Sequence, residues 1–510
     1  MAIKRYRATK DTTIVNAYEP NFQTRGTGSN AGMADVMEVF SVYGRISSAS
    51  QELSRILVEF PTTTISSDRT AGTIPASGSV SFYLRLFNAQ HSKTVPKDYK
   101  LVAMPLSQSW QEGVGLDLET YKDVTDGNTG ANWMSASDTA GWTDYQGIDL
   151  VGGSTITSSA DYIYEQTLET GLEDLDIDIT PLVESWLAGT ITNNGVLVRL
   201  SSSYEASASQ DYVSQDNAVV YNPDGATKSY YTKRFFARGT QYFYKRPVIE
   251  ARWNSSKKDD RGNFYYSSSL APAADNLNTL YIYNYVRGAL TNIPAVGTGS
   301  ILVSLYSGSS APTGSKLVLY DGNTNLTGGW VSTGIYSCSV AITAASTPLD
   351  PLFDVWHAGG VEYATGSIVP QVLSAAQTVS KPVYYLNITN MRRDYRSDET
   401  ARFNLYIRNK NWQPTIYTVA NNTAPATTIP SASYRIYRVM DGYEVLPYGT
   451  SSNMYTMLSY DVSGNYFDFD MNILEPGYEY AFKFAFYDPA LSSWSEQSET
   501  FRFRVEDYEY

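Results

Sequence analysis

Apolar and polar residues alternate most regularly between Asp174 and Ser201. From Leu175 onward three apolar residues alternate with aspartates, so a strand here would bury one face and leave the other in water. The next residues, TPLVESWLAG, place apolar side chains including Trp186 on one helical face, with Pro in the first turn and Gly after the end. Asn-Asn-Gly then marks a turn before the alternation restarts. The pattern predicts a strand, a short helix capped by the Thr180 hydroxyl, a turn and a second strand.

Most of the remaining chain consists of short alternating runs separated by Gly, Ser, Asn and Pro, a pattern typical of all-β proteins. Residues 62–78 and 113–157 lack periodicity and are predicted to be surface loops. Residues 255–278 combine charge, serine and proline, which predicts a linker.

A second run of alternation follows that linker. In LYIYNYV, aliphatic residues alternate with tyrosines apart from Asn284, so Tyr281, Tyr283 and Tyr285 are expected on one face of a strand. We interpret this strand as the start of a second domain.

The N-terminal half resembles DNRLRE-type β-sandwich domains, in which an aspartate-led strand runs into a short helix with Trp and Gly, as at 174–201. Other elements follow the family's order: the R-x-L-x-x-F strand at Arg55–Phe60, the W-x-E-G element at Trp110–Gly113, a Gly141-Trp142 loop and a closing strand at Lys245–Trp253. The resemblance covers residues 5–254. It implies a jelly-roll-like sandwich with long loops and one short helix.

The C-terminal part resembles fibronectin-type-III and Ig-like sandwiches. Its sequence LEPGYEY, ending at Tyr480, is similar to the L-x-P-x-x-x-Y tyrosine corner of those domains. The resemblance implies that the Tyr480 hydroxyl binds the upstream backbone before a core strand.

At 510 residues, the length allows about three domains. We therefore predict an all-β protein with three sandwich domains: a DNRLRE-like sandwich at 1–254, the linker at 255–278, a second sandwich at 279–377 and a fibronectin-III/Ig-like sandwich at 378–510.

Composition narrows the function classes. The net charge is −14 without a basic stripe, so nucleic acid is not an expected partner. No run of about 18 apolar residues exists, so membrane insertion is not expected. The basic opening leads into Thr-rich sequence rather than an apolar region, which predicts synthesis in the cytoplasm without a signal peptide.

Catalytic chemistry has few candidates. Asp174, Asp176 and Asp178 would lie about 6.6 Å apart along a strand, which permits a pair of glycosidase carboxylates. A solvated strand face gives the same spacing, and Asp178 is also placed to help the following helix begin. His91 has no motif around it, and no G-x-S-x-G sequence occurs. We expect no enzymatic activity and no cofactor.

Calcium is the alternative ligand considered, since it accepts oxygen atoms from loops in flexible geometry. The candidate ligands are Asp11, Asp117 and Asp126-Gly127-Asn128, none with EF-hand spacing. The single cysteine, Cys338, lies in a strand-like alternation and is interpreted as a buried structural residue.

Aromatic rings are the last candidates. Trp133, Trp142 and Trp330 lie in Gly-, Asn- or Ser-rich sequence and could stack on sugar rings of a host-surface glycan. The alternative is that they close the ends of sandwich cores or pack against a neighbouring subunit. The 42 tyrosines exceed the 38 lysines and arginines combined, which favours interfaces that are part apolar and part wet.

The opening MAIKRYRATKDTTIVNAY and the later TRGTGSNAG resemble virion structural proteins of contractile-tailed phages that infect marine cyanobacteria. The resemblance implies a virion building block of the neck, tail or head surface, whose partners are copies of itself and other virion proteins. We expect Tyr281, Tyr283 and Tyr285 at contacts between chains, and the basic residues 4–7 to meet an acidic surface such as 506–510. The alternative is a carbohydrate-binding adhesin that contacts the host surface.

Overall fold

The structure is a computed structural model. It describes residues 3–16, 30–44, 49–91, 96–116, 130–133, 135–143, 152–156, 160–201, 204–205, 230–267, 272–342, 349–371, 382–412, 426–449, 453–489 and 491–507. The chain divides into two compact units, Ala2–Trp253 and Asn254–Tyr510. Of the calcium candidates, Asp117 and Asp126-Gly127-Asn128 lie outside the described residues.

The N-terminal unit contains eleven of the described strands and two short helices. The strands are β1 (Ile3–Arg7), β2 (Lys10–Val15), β3 (Val36–Gly44), β4 (Ala49–Glu59), β5 (Ser81–Leu86), β6 (Tyr99–Pro105), β7 (Tyr164–Leu168), β8 (Leu175–Asp178), β9 (Val196–Leu200), β10 (Tyr230–Phe236) and β11 (Val248–Arg252); the helices are α1 (Thr62–Thr70) and α2 (Thr180–Ala188). One sheet has the order β1-β11-β5-β8, and the other has the order β10-β3-β4-β9-β6-β7, with β2 also paired to β4. The apolar faces of both sheets enclose one core, to which α2 contributes Trp186.

The segment that begins at Leu175 folds as its alternation predicts. Leu175 and Ile177 are buried, whereas Asp176 and Asp178 are exposed. Helix α2 ends at Gly189, whose φ of 73° is the left-handed conformation that glycine adopts without strain.

The predicted capping role of Thr180 is wrong. The residue before α2, Ile179, makes no side-chain cap. Instead the Thr180 hydroxyl accepts a hydrogen bond from Phe82 N and donates one to Asp178 Oδ1. Thr180 therefore ties the start of the helix to the neighbouring strands.

Helix α1 lies in a stretch that was expected to be a loop, so the prediction of a single short helix is also wrong. Only Ile65 of α1 is buried, which explains why no apolar periodicity marks it. Arg69 of α1 pairs with Glu184 of α2 through two hydrogen bonds of 2.7 and 2.6 Å. Contacts with α2 hold this helix in place, and the sequence of α1 by itself does not indicate them.

The first sandwich of the C-terminal unit is a six-stranded sheet around one core, with the order β12-β17-β16-β15-β18-β19. Its strands are β12 (Asn278–Tyr283), β13 (Tyr285–Val286), β14 (Ala289–Leu290), β15 (Ile301–Ser307), β16 (Leu326–Ser332), β17 (Ile335–Val340), β18 (Leu352–Ala358) and β19 (Val361–Ile368). Strands β13 and β14 form a separate hairpin.

The second sandwich of this unit packs two sheets, β20-β22-β26-β25 and β21-β29-β27-β23-β24, with β28 paired to β27. The strands are β20 (Tyr384–Ile388), β21 (Asp394–Arg396), β22 (Thr400–Asn409), β23 (Ala432–Arg438), β24 (Glu444–Leu446), β25 (Ser459–Asp461), β26 (Gly464–Asp470), β27 (Glu479–Asp488), β28 (Ser493–Glu496) and β29 (Phe501–Glu506). Aromatic rings from both sheets fill the core. The ring centre of Phe482 lies 4.8 Å from that of Phe403 and 4.6 Å from that of Phe503.

The tyrosine corner is confirmed. The buried Tyr480 hydroxyl donates a 2.7 Å hydrogen bond to the Glu475 carbonyl at the start of β27. Together the sheets confirm the predicted all-β, sandwich-type fold. The domain boundaries at 254, 278 and 377 stay predictions.

Candidate functional site

A buried cluster of charged side chains in the N-terminal unit lies on the face of the four-stranded sheet opposite the core. Glu250 is 1% exposed and accepts hydrogen bonds from Arg5 at 2.8 Å, Arg252 at 2.7 Å and Arg85 at 3.4 Å. Adjacent strands supply these residues, with Arg5 directly opposite Glu250 in the β1–β11 register. Burial alone would raise the pKa of Glu250, but the three guanidinium groups hold it well below its usual range. We call these four residues the Glu250 cluster.

The three aspartates of the predicted carboxylate pair are all bonded within this unit. Asp174 accepts from Asn88 N at 2.8 Å, and Asp176 accepts from Arg252 at 2.9 and 3.1 Å. Asp178 accepts from the Thr180 amide at 2.9 Å, which confirms its predicted help at the start of α2. The arrangement serves folding, and it offers no free acid and base facing one cleft.

The Glu of the W-x-E-G element anchors a second ionic contact. Both carboxylate oxygens of Glu112 accept hydrogen bonds of 2.8 Å from the Arg238 guanidinium, and Glu112 Oε1 also accepts a hydrogen bond of 3.0 Å from Asp11 N. Asp11, the described calcium candidate, is 1% exposed and accepts from the Arg238 backbone amide. Burial raises the pKa of Asp11 to about 7, and the nearby Glu112 charge adds to this rise. Within the described ranges, no three His, Cys, Asp or Glu side chains group closely enough to hold a metal.

Close packing around Asn30 accounts for Gly32 and Gly115 near the W-x-E-G element. Its side-chain amide donates to the carbonyls of Glu112 and Ala131, both at 2.8 Å, and its oxygen accepts from Gly32 N and Gly115 N. A Cβ at Gly115 would lie 1.8 Å from the Asn30 carbonyl oxygen, so only glycine fits this close approach. One buried amide thus joins three loop segments.

Two of the three candidate glycan-binding tryptophans are buried. Trp133 and Trp142 are each 3% exposed and pack with Trp110 in a smaller core on the outer side of the seven-stranded sheet. The Trp142 indole donates to Asn132 O at 2.9 Å, and the Arg55 guanidinium lies 4.7 Å from the Trp133 ring centre. A sugar cannot reach either face, so the structure favours the alternative in which these rings close a core.

Trp330 and the three tyrosines Tyr281, Tyr283 and Tyr285 differ in exposure and in the strand or hairpin that carries them. Trp330 is half-buried, and its indole donates to Asn292 at 3.1 Å. Tyr281 and Tyr283 stack on β12 with ring centres 6.3 Å apart, and both are half-buried. Tyr285 is 57% exposed on the separate hairpin, so the prediction of three rings on one strand is wrong. The strand ends at Tyr283.

The basic start at residues 4–7 is engaged inside its own sandwich. Arg5 belongs to the Glu250 cluster, Lys4 pairs with Asp68 at 2.7 Å, and the Arg7 guanidinium lies 3.7 Å from the Phe243 ring centre. The expectation that this segment meets an acidic surface of another chain is therefore not supported.

Residues 257–261, predicted as part of a linker, are bonded to both sandwiches of the C-terminal unit. On one side, Tyr460 N donates to Lys257 O at 2.9 Å, and the Tyr460 hydroxyl donates to Asp260. On the other side, Arg261 pairs with the fully buried Asp354 of β18 at 2.6 Å. This segment acts as a polar joint between the two sandwiches.

The remaining chemically capable groups also have structural partners. His357 Nε2 lies 2.8 Å from the Ser304 hydroxyl, and burial lowers its pKa. Cys338 is buried in the core of the sheet β12–β19, where burial raises the pKa of its thiol to about 12. A thiol of that pKa is a poor nucleophile at neutral pH.

The Glu250 cluster was missed from the sequence, although a signal exists. In IKRYR, YLRLF and VIEAR the charged residues alternate with the apolar residues that face the core. In each of these strands the arginine and glutamate residues lie on the face opposite the core, and charges of opposite sign on that face of neighbouring strands are expected to pair.

Comparisons with known proteins give a limited result. The chain matches no protein-family model and no curated protein. Similar solved structures include the N-terminal Ig1-2 module of the Drosophila receptor protein tyrosine phosphatase DLAR, at 8% identity over 45% of this chain and 90% of that chain, with a TM-score of 0.14. The tandem Ig repeats of Dlar match at 9% identity over 42% and 92%, with a TM-score of 0.14, and DIP-gamma IG1+IG2 at 12% over 42% and 86%, with a TM-score of 0.12.

These neighbours are tandems of Ig-like domains, but at such TM-scores they carry no argument about this chain. They give no support to the DNRLRE or cyanophage relation, which stays a proposal. In the part of the chain that is described, neither helix is long and apolar enough to cross a bilayer.

Proposed function

We propose that this chain is a non-enzymatic structural component of a phage virion, in the neck, tail or head surface, where it works through contacts between subunits. The sequence supports this role through its resemblance to cyanophage virion proteins and through the DNRLRE-like elements of its N-terminal half. Its site of action is then the virion rather than the cell.

The observation that carries the non-enzymatic part is the use of the candidate chemical groups inside the fold. Asp174, Asp176 and Asp178 each bond to a neighbouring backbone or arginine, and Cys338 is buried in a core. A catalytic carboxylate or thiol needs access to substrate and a pKa near the working pH. The groups described here are placed for stability instead.

Quantitative mass spectrometry of purified phage particles tests the proposed location. A structural component should be recovered in a fixed, whole-number ratio to the major capsid protein, and antibodies against the recombinant chain should label one region of the particle. Recovery only from the unassembled fraction of the lysate would contradict the proposal.

Hydrolysis assays test the non-enzymatic part separately. The purified chain should release no reducing sugar from host polysaccharide. Release that disappears in Asp176→Asn, while the fold is retained, would show a glycosidase and overturn this part.

A glycan-binding adhesin is the second candidate, and the half-exposed ring of Trp330 favours it. If Trp330 binds glycan, Trp330→Ala should abolish retention on host surface polysaccharide and leave particle assembly unchanged. Trp142→Ala is the matched control, because its buried ring should affect stability rather than retention.

A further inference from the structure

Two arginines of the N-terminal unit lie on one surface ring, that of Phe243. Phe243 is 44% exposed and begins a short turn, Phe243–Lys245, just before β11. The guanidinium carbon of Arg7 lies 3.7 Å from the ring centre, and that of Arg246 lies 5.3 Å from it. Strand β1 and this turn therefore bring two guanidinium groups close together at the surface.

These two arginines lack the acidic partner that is usual in this unit. Every other arginine that the structure describes there pairs with a carboxylate. Arg7 and Arg246 have no carboxylate within ion-pair distance among the described residues. Burial lowers the pKa of Arg7, and the positive charges of Arg5 and Arg246 lower it further. The described chain thus leaves the positive charge at this ring without a counter-charge, although the net charge of the sequence is −14.

Both guanidinium groups keep hydrogen-bond donors for a ligand. Arg7 makes no hydrogen bond to a described residue, and although its Nε is buried, its two terminal nitrogens remain accessible. Arg246 donates through Nε and Nη2 to Thr240 O at 3.3 and 3.1 Å, which leaves Nη1. Asp11, a carboxyl that Arg246 influences at longer range, is 1% exposed and accepts from the Arg238 amide. It therefore does not occupy these donors.

Lys245 adds a third positive charge beside the same turn. Its ammonium group lies 5.2 Å from the ring centre of Phe236 and 5.6 Å from that of Tyr242, which is 45% exposed. In the described part of the chain Lys245 likewise has no carboxylate partner. Aromatic rings hold these cations in place without neutralising them, so the patch attracts an anion from solution.

The two guanidinium groups also favour a particular shape of anion. A planar carboxylate matches the fork of a single guanidinium group through both of its oxygens. A tetrahedral phosphate or sulfate has oxygens in several directions, so it can accept from two guanidinium groups at once. Because Phe243 is partly exposed, the edge of its ring is open to such an ion.

We propose that Arg7 and Arg246 together bind a tetrahedral oxyanion, phosphate or sulfate, at the edge of the Phe243 ring. The oxyanion binds as the free ion or as a monoester, and Lys245 adds to its attraction. The inference is independent of the proposed virion role, since it rests on this patch alone.

Isothermal titration calorimetry of the full chain at low salt tests the proposal with sulfate, phosphate, acetate and glucose 6-phosphate as probes. Sulfate and phosphate should bind saturably, acetate should bind more weakly, and glucose 6-phosphate should bind as phosphate does. Arg7→Gln should weaken sulfate binding roughly tenfold to a hundredfold, because it removes hydrogen bonds from a charged group. Arg246→Lys keeps the charge but loses the planar fork, so it should weaken binding by roughly tenfold or less.

Arg392→Gln is the matched control, because it makes the same change in net charge at an arginine that pairs with Glu399 at 2.7 Å. It should bind sulfate as the unaltered chain does. Absence of saturable sulfate binding in the millimolar range would overturn the proposal. Binding that both Arg7→Gln and Arg246→Lys leave unchanged would also overturn it, because the ion would then lie elsewhere. Equally tight binding of acetate would contradict the tetrahedral specificity, and much weaker binding of glucose 6-phosphate than of phosphate would overturn the monoester part.

Discussion

Replacing Glu250 with glutamine tests how far one buried charge holds the N-terminal sandwich together. The side chains of Arg5, Arg85 and Arg252 are only 9%, 10% and 7% exposed, and Glu250 is the acid that all three contact. Glutamine has nearly the same shape, so packing is preserved while the compensating charge is removed. Three largely buried guanidinium groups would then face a neutral side chain, with Asp174 still near Arg85 and Asp176 still paired with Arg252.

The expected loss in the free energy of unfolding is about 3–5 kcal/mol, the usual cost of leaving a buried ion pair without one partner. The loss should also depend on pH. The pKa of Glu250 is lower in the folded state than in the unfolded chain, where it is about 4.3. The ionised carboxylate therefore stabilises the fold fully at pH values above the unfolded pKa, and this stabilisation is lost as the pH falls through the folded pKa. The difference between Glu250→Gln and the unaltered chain should therefore shrink in strong acid.

Hydrogen-exchange mass spectrometry across a urea series is the suitable assay, because peptides from β1, β5 and β11 report on this sheet alone. Glu165→Gln is the matched control, since it removes the same charge from an ion pair with Lys100 whose side chains are 41% and 46% exposed. That control should cost less than about 1 kcal/mol. A loss in Glu250→Gln no larger than in Glu165→Gln would refute the assigned role of the cluster.

Three further changes test other parts of the structure. Tyr480→Phe should lower the free energy of unfolding of its sandwich by about 1 kcal/mol by removing the corner hydrogen bond; thermal unfolding measures this, and Tyr478→Phe should be neutral. Asp11 has a folded pKa of about 7, above its unfolded value of about 3.9, so the free energy of unfolding should fall as the pH rises between these values. Urea titrations of Asp11→Asn should show no such slope. An unchanged slope in the variant would contradict the raised pKa of Asp11. Lys233 donates to Asn88, Gly171 and Glu173 while 2% exposed, so Lys233→Met should speed exchange in β10 peptides, and unchanged protection would show that this contact is dispensable.

Local patterns predicted the elements whose cause is local. The alternation after Asp174 and the corner at Tyr480 each depend on residues within a few positions, and both form as expected. The fold class follows for the same reason, because short alternating runs between turn residues suit sheets and little else.

Contacts between distant residues could not be predicted in the same way. Arg5 and Glu250 are 245 positions apart, and only the pairing of β1 with β11 brings them together. Helix α1 is held by the Arg69–Glu184 pair rather than by its own periodicity. Trp133 lies in sequence typical of a surface loop, yet its ring is buried in a core with Trp110 and Trp142.

The partners of the charged run at 257–261 could not be predicted for a related reason. Its residues have the composition of a linker, but Asp260 and Arg261 find partners on two different sandwiches. Composition describes what a segment tends to do alone, and these partners come from residues far along the chain.

A density map of the intact phage particle tests the central claim most directly. The proposal requires that this chain occupy symmetric, multiple positions in the neck, tail or head surface, with ordered contacts between neighbouring subunits. A complete map in which every protein density is assigned and none fits the two sandwiches of Asn254–Tyr510 or the sandwich of Ala2–Trp253 would contradict it.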